Sequence, residues 1–388
     1  MTEKRFLQNP YLKTYQASVI ECVENRVVLD CSIFAPEAGG QSCDLGTINQ
    51  IPLKHVSEEN GILYHLLEEA PSFREGETVT LTLDWERRFD HMQNHCGEHI
   101  LSGLLFTQHQ IRNKGFHLGS TVSTIDVDYP KMPKEMVEQL EKDANDVVFS
   151  NQEVQTQFFE DQADLAALPL RKELKVNEDI YIVSIEGVDC VACCCPHPKT
   201  TAEVGLIKIV RFENYKGMTR LYFKCGKRAL SDYRKKHDLV SELNIRYSSE
   251  DDTLLESLKI QDNKANQLKK ELNQMKKIFA QQEADKLISE ASDFVYQEYE
   301  NATLDDLKFT AKKIAEQTDL PVVLSSLSCL SVLLTHSGKS KMNCGQIVKE
   351  FACGFGGKGG GSNTLAQALF TDGEVMRNFI KIVQAHLR

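Results

Sequence analysis

The chain carries no excess of positive charge: 45 Lys and Arg stand against 56 Asp and Glu, a formal net charge of −11 over 388 residues. That balance excludes a sequence-blind nucleic-acid binder held by a general positive field. RNA contact through local patches stays open, at Arg228–Lys236, Lys264–Lys277, and Lys339–Lys341 with Lys358. Each patch alone reads first as solvated surface lysine. Long apolar runs are also missing. The longest, PVVLSSLSCLSVLLTH (321–336), is too short and too Ser-rich to span a bilayer. The opening MTEKRFLQNPYLK lacks the apolar h-region of an export signal. A cytoplasmic chain with no membrane partner is expected. Its twelve cysteines, three of them consecutive, are then expected to be reduced thiols, some of them metal ligands. No internal repeat is present.

The length allows two or three domains with proper cores. Residues 14–84 alternate apolar and polar positions in TYQASVIECVENRVVLDCSIF and VTLTLDW, with Pro36 and Gly39-Gly40 as turn signals. A small β-barrel or sandwich is predicted there. A helix follows from about Trp85 to Phe106, with Phe89, Met92, Cys96, Ile100, Leu104 and Leu105 marking one buried stripe. From 115 to 235 strands and helices mix in an order that predicts α+β, helices packed on a largely antiparallel sheet. Between 250 and 290 Lys, Gln, Glu and Leu dominate without Pro or Gly. Leu254, Leu258, Gln261, Ala265, Leu268, Leu272, Met275 and Phe279 step by four and three, a heptad seam that predicts a coiled coil. The tail from 303 reads as helix, two apolar strands, helix, the glycine cluster GFGGKGGG, and a final helix.

Two short stretches carry chemistry. In NHCGEHILSG, His95 and His99 lie one helical turn apart and can reach one cation. With Glu98 they also fit H-x-x-E-H, the inverted zinc-protease motif. Downstream, DCVACCCPH places Cys193 and His197 at C-x-x-x-H spacing. Three imidazoles and a thiolate form a His₃Cys set suited to Zn²⁺. That partner half-site weakens the protease reading, whose third ligand is typically a glutamate. Glu98 sits at the metal-facing edge, where it is either a proton acceptor, a residue orienting a ligand, or a solvated carboxylate.

HMQNHCGEHILSGLLF (91–106) resembles the H-x-x-x-H helix of the alanyl-tRNA synthetase editing domain and its free-standing AlaX relatives. GVDCVACCCPHPKTTAEVGLIKIV (187–210) is similar to their D-x-x-x-C-G-G-T-H segment. LDCSIFAPEAGGQSCDLGTI (29–48), KGMTRLYFKCGKRAL (216–230) and GFGGKGGGSNTLAQA (354–368) resemble further family segments, in the family's order. The last matches the C-terminal domain shared with DHH phosphoesterases. With no room for an aminoacylation domain, the chain resembles a long-form AlaX. The resemblance implies an α+β protein: a β-barrel at 1–84, a zinc-containing editing domain at 85–240, a coiled-coil segment at 250–290, and a glycine-rich tRNA-binding and dimerisation domain at 291–388.

The activity implied is hydrolysis of mischarged tRNA-Ala, with Ser-tRNA-Ala the principal substrate and Gly-tRNA-Ala a second, by zinc-assisted attack of water. By position the Zn²⁺ ligands would be His95, His99, Cys193 and His197. Catalytic and pocket positions would be Glu98, Asp189, Gln41 and Ser32, with tRNA contact at Gly356, Gly357, Lys358, Gly359 and Gly360 and a homodimer through the coiled coil. The alternatives are a non-catalytic tRNA-binding protein and the H-x-x-E-H peptidase. The family's Gly-Gly is Cys194-Cys195 here, its Thr is Pro196, its barrel threonine is Ser32, and its uncharged residue before the second His is Glu98. Cys190 is the alternative thiol ligand.

Overall fold

The structure, a computed structural model, describes residues 1–165, 168–174 and 178–388. It is a mixed α/β protein that divides into two compact units, Met1–Glu242 and Leu243–Arg388. Among the described residues no helix is long and apolar enough to cross a membrane.

The first unit opens with six antiparallel strands, β1 (Thr14–Val23), β2 (Arg26–Leu29), β3 (Gly46–Ile48), β4 (Ile51–Glu59), β5 (Ile62–Leu67) and β6 (Thr78–Leu83). They close in the order β1-β2-β5-β4-β3-β6 around Val19, Val27, Ile33, Phe34, Ile48, Val56 and Leu81. Between β2 and β3, Ala38 and Gln41 exchange backbone hydrogen bonds of 3.1 and 2.9 Å across Gly39 and Gly40. Both glycines have positive φ, 58° and 86°, the backbone that a two-residue hairpin turn requires. This turn delivers Gln41 to the site described below.

Helix α1 (Trp85–His109) begins where the Asp84 carboxylate accepts a hydrogen bond from the Arg87 N–H. Strands β7 (Asn113–Leu118) and β8 (Ser123–Val127), helix α2 (Lys134–Phe149), and strands β9 (Val154–Asp161), β10 (Glu178–Ile185), β11 (Asp189–Ala192), β12 (Ile207–Tyr215) and β13 (Met218–Cys225) follow. They form a four-stranded antiparallel sheet, β12-β13-β8-β7, and a three-stranded one, β9-β10-β11. The sequence predicts a single buried stripe on α1; the structure instead buries every residue from His91 to Leu105. The physical reason is packing on several sides. A Cβ on Gly97 would run into the Cys225 thiol of β13, and one on Gly103 would lie 2.5 Å from the Val188 carbonyl oxygen beside β11. A helix enclosed in this way must carry its polar side chains inside.

In the second unit β14 (Val295–Tyr299), β15 (Val322–Ser326), β16 (Ser331–Thr335), β17 (Lys358–Gly361) and β18 (Leu365–Leu369) form one sheet in the order β14-β15-β16-β18-β17. Its central strands are buried on both faces. Val322, Leu324 and Leu333 face one core, and Val323, Val332 and Leu334 the other. After helix α3 (Gly226–Tyr247), the heptad segment is one helix, α4 (Leu254–Glu290). Ala280, Ala284 and Leu287 of α4 pack into the unit, whereas Leu268, Leu272 and Met275 stay exposed. The heptad seam is thus uncovered within the chain along its middle.

Within the glycine cluster, Lys358–Gly361 is the edge strand β17, paired antiparallel with β18. A Cβ on Gly359 would meet Ala368 at 2.7 Å, and one on Gly361 would collide with Leu365 and Ala366. Close backbone approach therefore explains these two glycines. Gly361→Val is expected to destabilise the second unit by about 1–3 kcal/mol. Gly360→Ala, which meets nothing within 4 Å, is expected to stay within about 0.5 kcal/mol. Urea unfolding of the two variants checks the contrast.

Candidate metal centre

The ligand atoms of His95, His99, Cys193 and His197 all lie within 4.8 Å of one another. The Cys193 thiol sits 3.7 Å from His95 Nε2 and 3.3 Å from His197 Nε2. Tetrahedral zinc with imidazole and thiolate ligands would space neighbouring donors by about 3.3–3.8 Å. The donor set and its spacing therefore fit a zinc ion without rearrangement of the backbone. Helix α1 supplies two imidazoles one turn apart, and the segment after β11 supplies the other two donors.

Two of the imidazoles are fixed from behind. His95 Nδ1 donates to the Gln41 side-chain oxygen at 2.8 Å, and His99 Nδ1 to Asp189 Oδ2 at 2.9 Å. Holding the proton at Nδ1 leaves Nε2 free as the ligand atom, an arrangement that raises ligand basicity and sets ring orientation. His197 Nδ1 is buried with no hydrogen-bond partner among the described residues. Asp189 is in turn gripped by Arg171, whose Nε reaches Oδ1 at 2.6 Å and whose Nη2 reaches Oδ2 at 3.1 Å. Arg171 is anchored through its own backbone N–H to the Cys190 carbonyl. The sequence reading missed Arg171 because it stands in no motif, eighteen residues before its partner in LPLRKEL. A buried arginine is unreadable from a sequence in which most arginines are surface groups.

Glu98 is buried rather than solvated. Its Oε1 accepts hydrogen bonds from Ser102 Oγ and Asn113 Nδ2, both at 2.6 Å, and lies 3.8 Å from Arg171. Its Oε2 is 3.9 Å from His99 Nε2, the metal-facing atom. Burial alone would push this carboxyl up, yet Arg171, His99, His95 and the Ser102 hydroxyl together hold it at about 2. Burial likewise disfavours a charge on His99, but the Asp189 carboxylate and the Cys193 sulfur raise it to about 10. A hydrogen bond from Cys195, against the opposing effect of burial, helps hold the Cys193 thiol well below its ordinary value, with His95 and His197 adding to it. Burial lowers His197 to about 4, leaving it a neutral ligand.

The cluster opens into a cavity of ≈ 460 Å³ whose wall includes His95, Glu98, His99, Arg171, Tyr181 and Cys193. Cys194 and Cys195 also line it. Cys190 does not approach the cluster. It packs with Leu165, Ile180 and Ile182 on the other face of β11, because successive strand side chains alternate. Among the expected pocket residues, Gln41 accepts from His95 through its side-chain oxygen, and Ser32 lies elsewhere. The Ser32 hydroxyl is buried 2.8 Å from His65 Nε2 and does not line the cavity. Gly356–Gly360 and Lys358 belong to the other unit. Gln41→Ala and Asp189→Asn are each expected to weaken zinc retention about 10–100-fold, read by competition with a chromophoric chelator.

Residues 180–222 match the family described as the threonyl and alanyl tRNA synthetase second additional domain. The chain is 30% identical over 387 aligned residues to an alanyl-tRNA editing protein, AlaX-L, of Pyrococcus horikoshii, covering 95% of this chain and 94% of that one. It is 27% identical to alanine–tRNA ligases of Methanococcus maripaludis and Pyrococcus furiosus, over 96% and 100% of this chain. It spans 42% and 44% of the length of those ligases.

Proposed function

The chain belongs to the AlaX family of alanyl-tRNA editing proteins, and on that premise we propose that it hydrolyses the aminoacyl ester of mischarged tRNA-Ala, with seryl-tRNA-Ala the principal substrate and glycyl-tRNA-Ala a second. The observation that carries this reading is the four-donor cluster at the wall of a cavity, with two imidazoles oriented by Gln41 and Asp189. Zinc held by His95, His99, Cys193 and His197 would polarise the ester carbonyl or acidify a water on taking a fifth ligand. Around it the chain supplies orientation and charge. Gln41 and Asp189 keep the Nδ1 protons in place. Glu98, held ionised, turns Oε2 toward the cavity as a hydrogen-bond acceptor for the attacking water or the substrate ammonium. A carboxyl held near 2 is a weak general base, so its contribution is positioning and charge.

Serine is selected over alanine when a buried polar group is left unpaired by the smaller side chain. In this chain the Cys194 and Cys195 side chains enter the cavity wall where the resembling segment carries glycines, and they narrow the space for the amino-acid side chain. The finer division into a barrel domain, an editing domain, a helical segment and a tail domain belongs to the same proposal. So do tRNA contact at Lys358 and the exposed edge strand β17, pairing of two chains along the α4 seam, and a cytoplasmic setting.

Purified protein incubated with Ser-, Gly- and Ala-charged tRNA-Ala tests the reading. Seryl-tRNA-Ala is expected to be deacylated fastest, alanyl-tRNA-Ala to be spared, and a zinc chelator to abolish the difference. Deacylation no faster than the spontaneous rate for all three sinks the proposal.

A further inference from the structure

Arg171 is an unusual residue to find beside a cation site. Its side chain is 3% exposed, and one terminal nitrogen, Nη1, has no hydrogen-bond partner among the described residues. The guanidinium grips Asp189 through two nitrogens and stands 3.8 Å from Glu98. The groups nearest the guanidinium are thus the two carboxylates of Asp189 and Glu98. Glu98 Oε2 is only 3.9 Å from His99 Nε2, and among the described residues the hydrogen bonds from Ser102 and Asn113 both go to Oε1.

Carboxylate oxygen is a competent zinc ligand, and a dication attracts the nearest uncompensated anion. A bound ion would therefore draw Glu98 into its coordination sphere unless another cation balanced that charge. Lys4 and Lys172 also line the cavity. Lys4 is committed to Glu58 at 2.6 Å, and Lys172 is exposed. Among the described residues Arg171 alone is a buried cation beside both Asp189 and Glu98. We propose that Arg171 is the positioning residue that keeps Glu98 off the metal, so that four protein donors bind the ion and Glu98 faces the substrate cavity. The proposal rests on the reading that His95, His99, Cys193 and His197 hold a divalent metal.

Cobalt(II), a spectroscopic stand-in for zinc, tests it in the full-length protein, because four-coordinate cobalt absorbs visible light more strongly than five-coordinate cobalt. The wild type is expected to show the strong four-coordinate band. Arg171→Met is expected to weaken and shift that band as Glu98 becomes a ligand, and to lower kcat for the zinc form about 10–100-fold with KM little changed. The double variant Arg171→Met/Glu98→Gln is expected to regain the strong band, and Arg171→Lys, which keeps the charge, to retain it. A wild-type band in folded Arg171→Met overturns the proposal. So does a changed band in Glu98→Gln, which would mean that Glu98 is already a ligand; this reading stands even if Arg171→Met does not fold. No cobalt band in the wild type overturns the metal reading and this proposal together, whereas a normal wild-type band unmoved by Arg171→Met overturns this proposal alone.

Discussion

Cys193→Ala is expected to lower the rate of seryl-tRNA-Ala deacylation by about 10³-fold, equivalent to about 4 kcal/mol of transition-state stabilisation. Zinc content of the purified protein is expected to fall with it. Three imidazoles remain, so partial metal binding should return at high zinc concentration. Full activity should not, because the thiolate that contacts both His95 and His197 no longer balances the ion's charge. Cys190→Ala provides the contrast. That thiol packs among Leu165, Ile180 and Ile182, so zinc content and rate are expected to stay near wild type. Metal analysis and deacylation assays on the two variants decide between the thiols. They also decide against the peptidase reading, which requires no Cys193. Equal zinc content in the two variants would remove Cys193 from the ligand set.

Arg88→Ala is expected to be the most damaging substitution to stability, at about 3–5 kcal/mol for a broken buried ion pair. Arg88 is fully buried on α1 and hydrogen-bonds both carboxylate oxygens of Asp44, the Ile33 carbonyl at 2.6 Å, and the Pro10 carbonyl at 2.9 Å. Asp44 also accepts from the Ala35 N–H at 2.6 Å. One guanidinium thus ties the helix that carries His95 and His99 to the closed sheet that carries Gln41. Its loss leaves a buried carboxylate without its counter-charge and takes a donor from two carbonyls, each a cost on its own. Urea unfolding followed by the fluorescence of Trp85, the only tryptophan, reads the first unit directly. A midpoint unchanged from wild type would show that other contacts carry the junction. Zinc retention is expected to weaken in parallel, because a shift of α1 against the closed sheet separates Gln41 from His95.

Much of this architecture was legible in local pattern. The alternation over TYQASVIECV and VTLTLDW is a property of neighbouring residues, and strands form at Thr14–Val23 and Thr78–Leu83. The spacing of LDDLKFTAKKIAEQ corresponds to a helix at Leu304–Gln317 with a capping box at Thr303 and Asp306. Other features were not legible. The all-round burial of α1 depends on glycines at 97 and 103 meeting β13 and the chain beside β11, contacts that no helical period encodes. The glycine cluster reads as a loop in sequence because glycine is common in loops, yet two of its members are small so that a neighbouring strand can come close.

The sequence by itself determined the kind of chemistry available here. It placed two imidazoles one helical turn apart and a thiol and an imidazole at C-x-x-x-H spacing, and residue type with spacing is enough to name a candidate metal-donor set. The tertiary structure decided what makes those donors a site. Gln41 lies 54 residues from His95, Asp189 lies 90 from His99, and Arg171 and Glu98 meet across 73 positions. Such partners are set by which strand and helix the fold brings together, and the low dielectric of that buried junction is what gives their charges force.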